Sequence, residues 1–254
     1  MPLALVTGAA KRLGRRTSLT LAARGYDIAA HYNSSDDEAR ALAAEVEGLG
    51  RRCGIFGADL SDAGATAALF DEVVAAMGAP EVLINNASVF VNDDATTFDP
   101  KDLAANVAVN LTAPLILASR FAAAATPGAN NVVVNMLDNK LTRMNPDFFS
   151  YTISKCGLSG ATEMMAIRFA PEVRVVGVAP SVTLISGKQT QEAFERSQKM
   201  TLLGRGPTPE DIAATIMYLV DTKVVTGQTI VVDAGQVRMN LPRDVAFLVK
   251  DEFK

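Results

Sequence analysis

The sequence predicts an α/β fold: a three-layer, doubly wound parallel sheet with helices on both faces, forming a single domain over 1–254. Three observations carry this. Short apolar runs alternate with helix-length amphipathic stretches along the whole chain. Glycines punctuate many of the junctions. The length of 254 residues is close to the roughly 250 that a single core supports before chains divide.

Leu3-Ala4-Leu5-Val6-Thr7 reads as a buried first strand, broken by Gly8. A helix is expected over 13–24, ended by Gly25. Strands follow over 27–32, 52–57, 81–85, 131–136, 173–179 and 229–233. Helices are expected over 36–47, 62–77, 102–125, 151–169 and 209–220. The least regular stretch is 181–207, which holds a polar helix-like run over 189–199. In a doubly wound sheet, ligands sit beyond the carboxyl ends of the strands. A mobile segment there suits a substrate lid, and an ordinary surface excursion is the alternative.

Composition narrows the function. Hydrophobic residues make up 49%, and the net charge is −4, which argues against a nucleic-acid surface. No run approaches the roughly 20 apolar residues of a membrane span. The chain enters a strand pattern at once, so no signal peptide is expected. Cys53 and Cys156 are the only cysteines, too few for a disulfide framework. No Cys/His cluster has metal-ligand spacing, so no metal is expected, and the cytoplasm is the expected location.

Thr7-Gly8-Ala9-Ala10-Lys11-Arg12-Leu13-Gly14 joins the first strand to the first helix. Glycine lets the backbone turn tightly and approach a pyrophosphate, and the helix N-terminus offers free N–H donors. That places a Rossmann-type dinucleotide site at the first βα junction. The turn resembles the TGxxxGxG of the short-chain dehydrogenase/reductase family, with Arg12 where a glycine is usual. The departure is similar to the pteridine reductase branch, which includes bacterial dihydromonapterin reductases. Arg12 would add a charged fork beside the phosphates. The alternative is a solvated Arg at a helix start, which the positive helix end disfavours.

Strand two ends His31-Tyr32-Asn33-Ser34-Ser35, with no acid before Asp36. An NAD enzyme places a carboxylate here for the ribose 2′-OH. Small donors such as Asn33 and Ser34, with Arg12, suit a 2′-phosphate, so NADP(H) is the expected cofactor. His31 is the only histidine; it either lines the adenosine phosphate or is merely half-exposed. The resemblance gives Asp59-Leu60 to the adenine; Asp59 equally suits a helix cap.

Tyr151-Thr152-Ile153-Ser154-Lys155 is a YxxxK run, which puts both side chains on one helix face. Tyrosine titrates near 10, and a neighbouring ammonium is expected to lower that value. By resemblance, Asn85-Asn86-Ala87-Ser88 matches the family's NNAG, laying Asn86, Ala87 and Ser88 along the cofactor. Asn110 matches its helix asparagine, which links the lysine to solvent through a water. Pro180 matches its PG turn.

The family's catalytic serine stands thirteen residues before the tyrosine. Here that position is Asp138, in Val134-Asn135-Met136-Leu137-Asp138, again similar to the pteridine reductases. A carboxylate would repel developing negative charge on a ketone oxygen. It can accept from a pterin N–H or, when protonated, help Tyr151 protonate a ring nitrogen. A turn-capping Asp is the alternative. Phe90 stands where those reductases stack a ring on the pterin, although a lone Phe is more often core.

The resemblance therefore implies an NADPH-dependent reductase acting on a pterin C=N bond. Tyr151, Lys155, Asp138 and Asn110 would be catalytic. Gly8, Leu13 and Gly14 would join the cofactor contacts, and Arg12 and Ser88 would also meet the substrate. A carbonyl reductase of the same fold is the second reading, and a nucleotide-sensing binding protein the third. The family's assembly implies a homotetramer through the helices over 102–125 and 151–169.

Overall fold

Parallel pairing puts seven strands side by side, buried on both faces through the middle of the sheet. In the computed structural model, which describes residues 1–187 and 189–249, the strands are β1 (Leu3–Val6), β2 (Asp27–Tyr32), β3 (Cys53–Gly57), β4 (Val82–Asn85), β5 (Val132–Met136), β6 (Arg174–Pro180) and β7 (Thr229–Val232). Their order is β3-β2-β1-β4-β5-β6-β7, all parallel. The chain therefore starts in mid-sheet, winds out to β3, then crosses back to build the other half. This is the expected doubly wound single domain. Its expected span includes 188 and 250–254, which lie outside the described residues.

The period-2 alternation of side chains divides the core. Ala4 and Val6 of β1 pack with Leu21, Leu42 and Ile216 on one face. Leu3 and Leu5 pack with Leu69, Leu117 and Phe121 on the other. The first face is covered by α1 (Arg12–Ala23), α2 (Asp36–Gly48) and α8 (Pro209–Asp221). The second is covered by α3 (Ala63–Met77), α5 (Ala113–Ala124) and α6 (Phe149–Phe169). Local chemistry starts several of them. The Asp62 side chain accepts from Ala65 N at the head of α3. Thr208 and Asp211 form a reciprocal capping box on α8, with Pro209 in its first turn.

The sequence boundaries shift by a residue or two, as fraying ends do. Two differences are larger. The helix expected over 102–125 begins earlier, as α4 (Pro100–Val107), and passes into α5 through a π-helical turn at Ala108–Thr112. This continuous helix is long and apolar enough, by length and composition, to cross a membrane, contrary to the expectation that no run comes close. Its Ala113, Leu117, Ala118 and Phe121 are nevertheless buried in the sheet's core. The second difference is short structure that the sequence pattern does not show: 3-10 turns at Asn139–Thr142 and Gln236–Met239, and α9 (Val245–Leu248). The polar run after β6 is α7 (Gln191–Lys199), with Thr190 as its cap. It packs on α9 through Ala193, Val245 and Val249.

Candidate active site

A cleft of about 860 Å³ opens at the carboxyl ends of the strands, and every residue named above as a site candidate lines it except Asn110. Its two ends are built differently.

At the cofactor end, backbone does the shaping. Gly8 has φ of 60°, the left-handed region that glycine enters without cost. A Cβ on Gly14 would lie 2.1 Å from Gly8 O and 2.6 Å from Asn86 Nδ2, so only glycine fits. The Asn86 amide donates to Thr7 O (2.8 Å) and Gly8 O (3.2 Å). Thr7 Oγ1 accepts from the N–H groups of Asn86 (2.9 Å) and Ala87 (3.0 Å). The first turn and the turn after β4 are thus laced together. The N-cap of α1 makes no side-chain hydrogen bond, and its first turn holds no acid. Free N–H donors and the positive helix end face this turn, which suits a pyrophosphate.

Three candidates here make hydrogen bonds within the chain that the sequence did not announce. His31 is 2% exposed rather than half-exposed. Its Nδ1 accepts from Gly8 N (3.1 Å), and Nε2 lies 3.0 Å from Ala58 O. That pairing requires the neutral Nε2–H tautomer, and burial lowers the ring's pKa. His31 braces the turn, with both ring nitrogens engaged. Asp59 accepts from Ser61 N (2.9 Å), while the cap of α3 is Asp62. Arg12 adopts φ of 54° where the family has glycine. Its guanidinium donates to Ile185 O (2.6 Å), just beyond β6. The sheet order puts β6 on the far side of β1 from β2, so in this conformation Arg12 does not face the β2 end that a 2′-phosphate would occupy. Lys11, missed in the sequence, lines the cleft and pairs with Glu38 of α2 at 2.7 Å. Asp36, the first acid after β2, is already bonded to Tyr32 Oη and Arg40 Nε, each at 2.6 Å.

At the other end, α6 presents Tyr151 and Lys155 to the loop after β5. Tyr151 Oη donates to Asp138 Oδ2 at 2.9 Å. Asp138 Oδ1 accepts from Lys140 N at 2.8 Å, so the carboxyl caps a turn, the alternative the sequence offered, while its other oxygen faces Tyr151. Burial raises the Asp138 pKa against the pull of Lys140. Burial and the Asp138 carboxylate hold the Tyr151 phenol well above its ordinary range. The expected lowering of tyrosine by lysine is therefore overturned. Lys155 Nζ donates to Met136 O (2.7 Å) and stands 5.7 Å from the Tyr151 ring centre. Burial pushes its own pKa down to about 8.

Asn110 sits in the π turn, a geometry that often marks functional positions. Its Oδ1 accepts from Val89 N, and its Nδ2 faces Val89 O, Asn106 Oδ1 and Ser154 Oγ, all within 3.1 Å. It therefore ties the segment carrying Phe90 to α6, and has no direct bond to Lys155. Phe90 is 49% exposed, so it is not core. Its ring centre lies 4.3 Å from Phe148 and 4.6 Å from Tyr151. Phe148, Lys140 and Asp244 were missed in the sequence. A lysine two residues after Asp138 has no diagnostic spacing, and Asp244 is brought in from the far C-terminal stretch.

A family model described as Enoyl-(Acyl carrier protein) reductase matches residues 8–236. Pteridine reductase 1 of Leishmania tarentolae is 30% identical over 278 residues, spanning 92% of this chain and 96% of that protein. A 3-oxoacyl-[acyl-carrier-protein] reductase FabG of Staphylococcus aureus is 28% identical over 237 residues, spanning 91% and 96%. The crystal structure of FolM alternative dihydrofolate reductase 1 from Brucella canis, complexed with NADP, superposes with a TM-score of 0.87 at 34% identity, spanning 92% and 93%.

Proposed function

The chain belongs to the short-chain dehydrogenase/reductase family, and from that premise we propose that it is an NADPH-dependent reductase of a dihydropterin. The observation that carries this is the 2.9 Å bond between Tyr151 Oη and Asp138 Oδ2, with a carboxyl where a carbonyl reductase of this family keeps a hydroxyl. The likeness to Pteridine reductase 1 and to FolM supports the same substrate class.

The glycine turn, the open N-terminus of α1 and the Asn86 bridge fit a dinucleotide phosphate. The acid-free 33–35 stretch, with Lys11 at its side, favours the 2′-phosphate form. When bound, the reduced nicotinamide supplies a hydride to the carbon of a pterin C=N bond. Tyr151 remains a protonated phenol, so it is the donor to the nitrogen of that bond. Asp138, whose carboxyl burial makes easier to protonate, shares the hydrogen bond through which a proton returns to Tyr151 Oη once the phenol proton has left. Lys155, near 8, is poised to exchange protons at neutral pH. Asn110 holds the Phe90 segment against α6, and Phe90 offers the ring a stacking face. Segment 181–207, latched by Arg12, serves as the lid.

Asp138→Ser tests the reading. We expect a large loss of kcat/KM for dihydropterins and at most a small gain for ketones, with Asp138→Asn also failing. Dihydropterin reduction at the parent rate by Asp138→Ser would sink it. The second reading, a carbonyl or oxoacyl reductase, is favoured by the FabG likeness, and such a result would move the assignment there. The paired Tyr151 and Asp138 speak against a binding protein without catalysis.

The assembly belongs to the same proposal. Ile153, Gly160, Met164 and Ile167 fall on one stripe of α6. Met164 and Ile167 are 72% and 81% exposed, and a Cβ added at Gly160 would meet nothing within 4 Å. Copies packed through this stripe and through α4–α5 give the homotetramer. Light scattering at the monomer mass would refute it. The unpaired thiols of Cys53 and Cys156 and the use of NADPH fit the cytoplasm.

A further inference from the structure

Lys140 is 6% exposed, an unusual place for an ammonium. Its backbone N–H fixes one oxygen of Asp138. Its Nζ pairs with Asp244 Oδ2 at 2.8 Å, donates to Asp147 O at 3.2 Å, and stands 4.7 Å from the Phe148 ring centre. Asp244 is held in turn. Its N–H donates to Asp147 Oδ2 (2.6 Å), and its Oδ1 accepts from Ala246 N (3.0 Å). Arg243 Nε bridges both Asp147 oxygens at 2.8 and 3.0 Å. Lys140, Phe148 and Asp244 all line the cleft at its Asp138 end.

We propose that the buried Lys140 and the partly exposed Asp244 form a charge dyad that governs the proton exchanged between Asp138 and Tyr151. The proposal rests on reading that pair as the proton donor. Stability alone does not account for the dyad, because replacing a buried ion pair by apolar side chains is often neutral or stabilising. Its electrostatic reach does. Among the described residues, the charged and titratable groups facing Asp138 are Lys140 from its own loop, Tyr151 and Lys155 from α6, and Asp244 from the C-terminal segment. Lys140 favours the Asp138 carboxylate, whereas Asp244 opposes it and also opposes ionisation of Tyr151. The two members act with opposite sign on one carboxyl, Lys140 the more strongly. Removing either one unmasks the other. Both are positioning residues in this scheme, acting through Asp138 rather than on substrate.

The test follows the Asp138 carboxyl by carbon-13 NMR across pH, assigned with Asp138→Asn, beside the pH profile of kcat/KM for a dihydropterin. Lys140→Met should move the titration midpoint up by about one pH unit. Asp244→Asn should move it down, and Lys140→Arg should restore it nearly to the parent value. The limb of the pH profile set by Asp138 should follow in the same directions. Shifts of like sign in Lys140→Met and Asp244→Asn, or no shift in folded proteins, would overturn the dyad. If Lys140→Met does not fold, the near-isosteric Asp244→Asn decides through its downward shift alone. If the parent reduces no dihydropterin, the functional reading fails separately, because the carboxyl titration needs no turnover.

Discussion

The two ends of the cleft are stabilised by different means. The cofactor end is set by backbone: a left-handed Gly8, a Gly14 with no room for a Cβ, and amide bonds from Asn86. The substrate end is set by charged side chains from distant parts of the chain, with Asp147, Arg243, Lys140 and Asp244 fastening the loop after β5 to the C-terminal segment. A backbone-built site is vulnerable to one added atom. A site built by ion pairs is vulnerable to one removed charge, and can be retuned by it.

The largest expected effect is therefore at the cofactor end. In Gly14→Ala the new methyl meets Gly8 O at 2.1 Å and the Asn86 amide at 2.6 Å. Gly8 O belongs to a backbone that Asn86 and His31 already pin, so neither turn moves cheaply. Overpacking of this kind costs about 3 kcal/mol. We expect a lower Tm and loss of NADPH binding in a fluorescence titration. An unchanged Tm with full NADPH affinity would show that the two turns yield more easily than their bonds suggest.

A smaller effect, confined to the other end, is expected from Phe90→Ala. The ring is half-exposed and lies against Phe148 and Tyr151. Its loss should change Tm little. Aromatic stacking contributes about 0.5–1.5 kcal/mol beyond burial, so the Kd for a dihydropterin should rise several-fold while that for NADPH stays put. If NADPH weakens equally, the two ends are less separable than the geometry implies.

The same contrast explains what could be read in the sequence. The glycine turn, the strand periodicity and the YxxxK run are local patterns, fixed by residues within a turn or two of each other. They led directly to the sheet, the cleft and Tyr151 and Lys155, whereas Asp138 came from the family resemblance. The Arg12–Ile185 bond joins residues 173 apart in sequence, and Arg243–Asp147 joins residues 96 apart. No spacing rule announces such pairs. The strand-end position of His31 suits either a phosphate contact or a half-exposed ring, and only the positions of Gly8 N and Ala58 O show it as a brace. Tyr151 looked lysine-activated because YxxxK places the two on one face. The structure instead turns the ammonium to Met136 O and gives the phenol to Asp138.

The smallest effect is expected where the two ends touch, at Arg12→Gly. Three contributions of similar size oppose one another. Glycine removes the cost of a left-handed side-chain residue, about 1 kcal/mol. It adds backbone freedom to the unfolded chain, worth about 0.5–1 kcal/mol. It also deletes an exposed hydrogen bond to Ile185 O, worth about 1 kcal/mol. The two losses outweigh the one gain slightly, so Tm should fall by no more than a few degrees. The informative change is local: amide exchange across 184–187 should quicken, because Arg12 no longer holds that stretch to the phosphate turn. With the guanidinium directed at Ile185 rather than toward β2, NADPH and NADH should weaken alike. A selective loss of NADPH is expected instead from Lys11→Ala, whose ammonium stands beside α2. If Arg12→Gly alone discriminates between the two dinucleotides, the side chain swings to the 2′-phosphate when cofactor binds, and the latch on 185 is a feature of the ligand-free protein only.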